Sequence, residues 1–259
     1  MLCRDDHTSQ FMRDLPFFKG LDEAELDRFW QASIVKDYPK NKPLFSQGSD
    51  ADRLFVVLSG WVKLFRNTEE GDESVVALFA RGDVFGEAAI FDGAGYPFSA
   101  QAAEDVHVIE IPAAVAREMA RHNPDIMKRI MNAMSREMHK LQIENEHMAI
   151  MNTAQRVGCL LLQLSSGMIG KGGTFSFPYD KSLAAARLGM KPETFSRALS
   201  QLKSYGVTSS GVEIQIADFH ALAAYCCMHC SAEIQDCSGA ARRICFAKEC
   251  ASSHKRVKG

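Results

Sequence analysis

Met127, Met131, Met134, Met138, Leu141, Asn145 and Met148 are spaced four and three residues apart in strict alternation. A strand repeats every two residues, so this stripe predicts a long helix carrying an a/d seam. A seam sustained through three heptads suits two chains wound together, and packing onto the chain's own domain is the alternative. Asn145 within the seam fixes register and favours two strands, at some cost in stability. The abundance of methionine makes the seam adaptable rather than stiff. The expectation is a homodimer through a helix over residues 126–150.

On either side of that helix the texture differs. Residues 11–36 have helical spacing interrupted at Pro16 and Gly20. Residues 37–111 are short apolar stretches, such as RLFVVLSGWVKLF and VHVIEIP, separated by glycine turns. Val56, Leu58, Val62 and Leu64 alternate around Ser59-Gly60, as half-buried strands would. Many short strands at regular intervals predict a barrel or sandwich. From Thr153 onwards the order is helix, strand, helix, turn, helix, strand. The fold class is therefore α+β. The domains expected are 11–125 (an effector-sensing β domain), 126–150 (the dimerisation helix), 151–225 (a DNA-binding domain) and 226–259 (a cysteine-rich extension).

Within 151–225, Lys181 to Leu188 and Glu193 to Leu202 predict two helices joined at Gly189. Pro192 suits the first position of the second helix. Leu183, Leu188, Phe195, Leu199 and Leu202 have core spacing, which leaves Glu193, Ser196 and Arg197 on the opposite face. That is the end a DNA-reading helix shows to the major groove. Arginine reads guanine bidentately and glutamate accepts from cytosine N4. Lys191 and Thr194 complete the candidate contact set. Lys181, Arg187, Lys191, Arg197 and Lys203 outnumber Asp180 and Glu193, a local positive patch in a chain of formal net charge -2. A helical hairpin with solvated charges is the alternative reading.

Hydrophobic content of 46% and charged content of 24% are those of a globular chain. No apolar run is long enough to span a bilayer, and MLCRDDHTSQ lacks an apolar signal core, so the expected location is the cytoplasm with no membrane partner. There is no Gly-Lys phosphate loop, nucleophile–base arrangement or HExxH, so an enzyme is not expected.

Taken in order, GDVFGEAAIF, the long helix, TAQRVGCLLLQL and KPETFSRALSQLKSYGV resemble the CRP/FNR family of bacterial transcription regulators over roughly residues 11–225. The resemblance implies a cyclic-nucleotide-binding-type β-roll, a dimer helix and a winged helix-turn-helix, acting on double-stranded promoter DNA and RNA polymerase. The ETFSR stretch is most similar to the FNR and nitric-oxide-responsive branches. By that resemblance, Glu193, Ser196 and Arg197 read inverted repeats of TTGAT-like half-sites. A ligand-binding β-roll module without DNA output is the alternative from another class.

The family's effector pocket maps onto Gly86, Glu87, Leu141 and Gln142. Its phosphate cassette pairs Gly-Glu with an arginine about ten residues on, a position that falls here at Tyr96 or Pro97. No arginine lies between Arg81 and Arg117. A buried phosphate would lose a charge-assisted contact worth about 1.5–3 kcal/mol. The reading is therefore against a cyclic nucleotide, with Glu87 kept as a structural carboxylate.

Six of the eight cysteines, Cys226, Cys227, Cys230, Cys237, Cys245 and Cys250, follow the DNA-binding domain. Some FNR-type proteins place cluster-binding cysteines there, and Cys227-x-x-Cys230 followed by Cys237 resembles that layout. An iron–sulfur cluster controlled by oxygen, nitric oxide or redox state is the first expectation. Zinc would accept the same ligands, with His229 and His254 as further candidates. Reduced or disulfide-linked thiols without a ligand remain open. Haem in the β domain is a competing sensor chemistry, with His107, His122, His139 and His147 as the histidines in or near it. Cys159, in GCLLLQL, is expected to serve packing.

Overall fold

The computed structural model describes residues 6–15, 17–19, 21–67, 73–165, 173–177 and 180–226. It divides into two compact units, Met1–Glu137 and Met138–Gly259.

The first unit opens with α1 (Asp6–Asp14) and α2 (Glu23–Ala32). Asp22 caps α2: its carboxylate accepts from the Glu25 amide at 2.8 Å, and Glu25 reaches back to the Asp22 amide at 2.9 Å. This reciprocal box satisfies two donors that a helix start leaves bare. Eight strands follow: β1 (Ile34–Tyr38), β2 (Pro43–Phe45), β3 (Arg53–Ser59), β4 (Val62–Asn67), β5 (Glu73–Phe79), β6 (Val84–Phe85), β7 (Ser99–Ala102) and β8 (Val106–Pro112). They form two antiparallel four-stranded sheets, β1-β8-β3-β6 and β2-β7-β4-β5. Between β6 and β7 lies α3 (Glu87–Asp92), and α4 (Ala113–His122) follows β8.

Two sequence expectations are corrected in this unit. The helical stretch stops at Ala32, and Ile34–Lys36 belong to β1. Consecutive β-branched residues and a partner strand outweigh the helical spacing. β3 does not alternate: Leu54, Phe55, Val56 and Val57 are all buried. Phe55 faces the other sheet, 5.4 Å from the Phe45 ring, while α2 and α4 pack on the neighbouring β8. A strand covered on both faces reads as a continuous apolar run.

The long helix α5 runs from Pro124 to Ile150, about 40 Å at 1.5 Å per residue. Ile126 and Ile130 are buried within the first unit, whereas Met127, Met131, Met134, Met138, Leu141 and Met148 are all exposed. Asn145 is exposed with them. The helix therefore has one face that serves its own core and a different, apolar face without cover in the single chain. No helix among the described residues is long and apolar enough to cross a membrane.

The second unit contains α6 (Thr153–Leu164), β9 (Gly173–Ser176), α7 (Lys181–Arg187), α8 (Pro192–Gln201), a 3-10 turn (Leu202–Tyr205), β10 (Val207–Ser210), β11 (Glu213–Ile216) and α9 (Phe219–Cys226). The sheet order is β10-β11-β9, all antiparallel. Phe195, Leu202, Leu161, Ile214, Ile216 and Leu222 are fully buried and form one core with their neighbours. Each such side chain contributes roughly 1.5–3 kcal/mol when removed from water. The closing helix α9 and the strand β10 have no counterpart in the sequence reading.

Candidate nucleic-acid interface

α7 and α8 form the hairpin expected from the sequence. The Asp180 carboxylate accepts from the Leu183 amide at 2.9 Å and starts α7. Ala184 and Ala185 are buried, which lets the helices approach closely. Gly189 takes φ +62° in the turn, a conformation that favours glycine. Lys191 is extended, as a residue before proline must be, and Pro192 opens α8.

Along α8, Phe195, Ala198 and Leu199 are buried. Lys191, Glu193, Ser196 and Arg197 are exposed and Thr194 is half-buried. The buried set fixes the helix against the core, so the exposed set projects from its N-terminal end. The core spacing holds for Phe195, Leu199 and Leu202, whereas Leu183 and Leu188 are only half-buried. Of the charges in the patch, Lys191, Arg197 and Lys203 are exposed. Arg187 is not spent on solvent: it pairs with Glu144 on α5.

The β10–β11 ribbon is the wing that the family resemblance implies; β11 is the strand expected from the sequence, whereas β10 was passed over. Its tip turns at Gly211, and Thr208, Ser209, Ser210 and Val212 are exposed. The signal was present as Ser-Gly between two short β-branched runs.

In the first unit, Gly86 precedes α3 with φ +89°. The backbone angle favours glycine, and a Cβ there would stand 3.2 Å from the Arg53 carbonyl oxygen, a tight contact. Glu87 stands half-buried in the first turn of α3. Tyr96 is buried: its hydroxyl donates to the Arg53 carbonyl at 2.6 Å, and its ring stacks on Phe45 at 3.7 Å. Pro97 is exposed. A guanidinium does reach this loop, from a strand rather than from the loop itself. Arg66, beside the end of β4, donates to the Pro97 carbonyl at 3.0 Å and lies 4.9 Å from the Phe98 ring centre. Leu141 and Gln142 are exposed on α5.

A cavity of about 370 Å³ is lined by Lys36, Tyr38, Phe45, Arg53, Tyr96 and Glu110, from both sheets of the roll and the loop before β7. The Glu110 carboxylate is 2% exposed and accepts from Tyr38, Arg53 and, at 3.3 Å, Lys36. Hydrogen bonding to Tyr38 and attraction to Glu110 raise the Lys36 pKa, and burial raises that of Tyr38. Gly86, Glu87, Leu141 and Gln142 are not among the residues that line this cavity.

Of the four candidate haem histidines, His107 projects to solvent and pairs with Asp37. His122 and His139 are exposed. His147, on α5, lies 3.8 Å from the Cys159 sulfur. Cys159 is buried, as its apolar setting suggested. Of the tail cysteines, Cys226 ends α9 and is buried in the core of the second unit. Cys227, Cys230, Cys237, Cys245 and Cys250 lie outside the described residues, as do His229 and His254. No group of three or more potential metal ligands occurs among the described residues.

A double-sheet roll followed by a helix-turn-helix with a wing and an exposed reading face defines a DNA-binding transcription regulator. Comparison with known proteins agrees. Residues 35–123 match the cyclic nucleotide-binding domain and residues 155–225 the Crp-like helix-turn-helix domain. The cyclic AMP receptor protein of Thermus thermophilus is 30% identical over 77% of this chain and 91% of its own length. The fumarate and nitrate reduction regulatory protein of Vibrio cholerae is 32% identical over 80% of this chain and 82% of its own length. A solved structure from Ruegeria pomeroyi, described as a candidate cyclic nucleotide binding protein, has a TM-score of 0.61 at 36% identity, covering 86% of this chain and 99% of that one. FixK2 from Bradyrhizobium japonicum has the same fold, with a TM-score of 0.64 at 23% identity over 73% of this chain and 95% of that one. The chain belongs to the CRP/FNR family of transcription regulators.

Proposed function

We propose that this regulator binds TTGAT-like inverted repeats as a homodimer and that an iron–sulfur cluster on its C-terminal cysteines controls that binding. The observation that carries the DNA reading is the division of α8, with Phe195, Ala198 and Leu199 buried and Lys191, Glu193, Ser196 and Arg197 exposed. Arg197 is suited to guanine and Glu193 to cytosine, with Ser196 and Thr194 between them. The uncovered apolar face of α5 supports pairing of two chains, which would present two α8 helices to a palindromic site. RNA polymerase is the further partner at a promoter.

Cys227, Cys230 and Cys237 are the proposed ligands, with Cys245 or Cys250 as the fourth. Thiolates in a CxxC turn are the donor set that iron–sulfur clusters take. Cys226 is left out because its side chain belongs to the core of the DNA-binding unit. A cluster bound there would supply sensitivity to oxygen, nitric oxide or redox state. Loss of the arginine at the cassette position supports a sensor outside the roll.

Anaerobic purification tests the control. The expected protein is brown, carries iron and sulfide, and loses both in Cys230→Ser. Colourless protein with stoichiometric zinc would replace the cluster by a structural site. A gel-shift titration against a TTGAT palindrome tests the DNA reading. If neither the metal-free nor the reconstituted protein shows sequence-specific, salt-sensitive binding, that reading fails.

A further inference from the structure

The C-terminal end of α7 is held by two arginines outside the base-reading set of α8, one of them Arg187 of the positive patch. Arg187, the last residue of α7, donates to the Glu144 carboxylate on α5. The pair is largely withdrawn from water, with side chains 20% and 26% exposed. Arg156 on α6 donates to the Leu188 carbonyl, one of the acceptors that the end of α7 would leave bare. Glu144, Arg156 and Arg187 all belong to the second compact unit. Three residues beyond Leu188 the chain reaches Lys191 and the reading end of α8.

Glu144 has a defined place on α5. It precedes Asn145 of the exposed stripe and lies three residues after Leu141, so it flanks the seam. The ion pair therefore ties the turn before α8 to the margin of the face through which two chains would join. In a symmetric dimer, the rotation of each helix-turn-helix about α5 sets the distance between the two α8 helices. That distance must match the spacing of the half-sites.

We propose that Glu144 and Arg187, braced by Arg156 at Leu188, are positioning residues that set the half-site spacing accepted by this regulator. The inference rests on the dimer and helix-turn-helix readings above. A partly desolvated arginine–carboxylate pair suits the task because its geometry is directional.

The test is equilibrium binding of the full chain to inverted repeats whose spacer is varied one base pair at a time, with sedimentation mass read in parallel. Glu144→Gln and Arg187→Gln are expected to remain dimeric and to cut discrimination between the best and next-best spacing from about tenfold to about twofold. The swap Glu144→Arg with Arg187→Glu should restore part of that discrimination. Unchanged spacing preference in both single variants would overturn the proposal. So would a fall in affinity for every spacing alike, with a salt slope lower by about one for Arg187→Gln, which would make Arg187 a phosphate contact. Monomeric wild-type protein, or wild-type protein indifferent to spacing, would instead remove the dimer reading on which the inference stands.

Discussion

Gly158 on α6 and Cys226 on α9 meet so closely that a Cβ at Gly158 would stand 2.2 Å from the cysteine sulfur. Leu222 of α9 would lie 3.2 Å from it. In a solvated helix interior, replacing glycine by alanine gains about 1 kcal/mol. Here the clash decides the sign. Gly158→Ala should lower stability by about 1–3 kcal/mol, the usual cost of forcing atoms into a filled core. Cys226→Ala in the same background should recover most of that loss by removing the sulfur. Urea denaturation of the four proteins in the cycle checks it, and additivity of the two changes would show that the contact is not the cause.

Arg197 is exposed on the free face of α8, and no core contact depends on it. Arg197→Ala should therefore leave the melting temperature unchanged. It should reduce specific binding by about 1–3 kcal/mol while leaving binding to random duplex nearly intact. Paired titrations on specific and scrambled DNA measure both. Equal losses on the two duplexes would mean that Arg197 touches only phosphate.

Features with a local signature were legible in the sequence. The 4-3 spacing from Met127 to Met148 located α5, and Pro192 with Gly189 located the start of α8 and the turn before it. Elements decided by distant partners were not. Ile34–Lys36 look like the end of a helical stretch until β8 supplies the strand they pair with. α9 carries apolar residues on most of its surface, FHALAAYC, and gives no amphipathic stripe to detect. The loop that holds Tyr96 and Pro97 has no arginine of its own, and Arg66 reaches Pro97 from 31 positions away in the chain. The fate of Cys226 was illegible for the same reason, because only the fold brings α9 onto Gly158.

Leu141 lies in the exposed stripe of α5 and is 54% exposed in the single chain. An aspartate there costs the isolated chain little, because the side chain already meets water. In a paired seam the same charge would be buried without a partner. Leu141→Asp should therefore shift the sedimentation mass from two chains to one and weaken binding to a palindrome more than tenfold, with α-helix content preserved by circular dichroism. A variant that stays dimeric would place the subunit contact elsewhere.

Tyr96 links the two sheets of the roll. Its hydroxyl donates to the Arg53 carbonyl at 2.6 Å and accepts from the Arg53 amide at 3.2 Å, while its ring stacks on Phe45 of β2. Burial, opposed by the hydrogen bond with the Arg53 backbone, pushes its pKa from 10.0 up to about 12. The folded state thus keeps a proton that the unfolded chain releases near pH 10. The resulting contribution is complete below pH 10 and is lost as the pH rises towards about 12. Tyr38 and Lys36, whose pKa values are also raised, act in the same direction. Tyr96→Phe should cost about 1–2 kcal/mol at neutral pH by leaving the Arg53 backbone groups without their partner. It should also flatten the decline in stability above pH 10, because phenylalanine has no proton to lose. Urea midpoints for both proteins from pH 8 to about 12 separate the two effects. Parallel curves across that range would show that ionisation of Tyr96 does not drive alkaline unfolding of the roll.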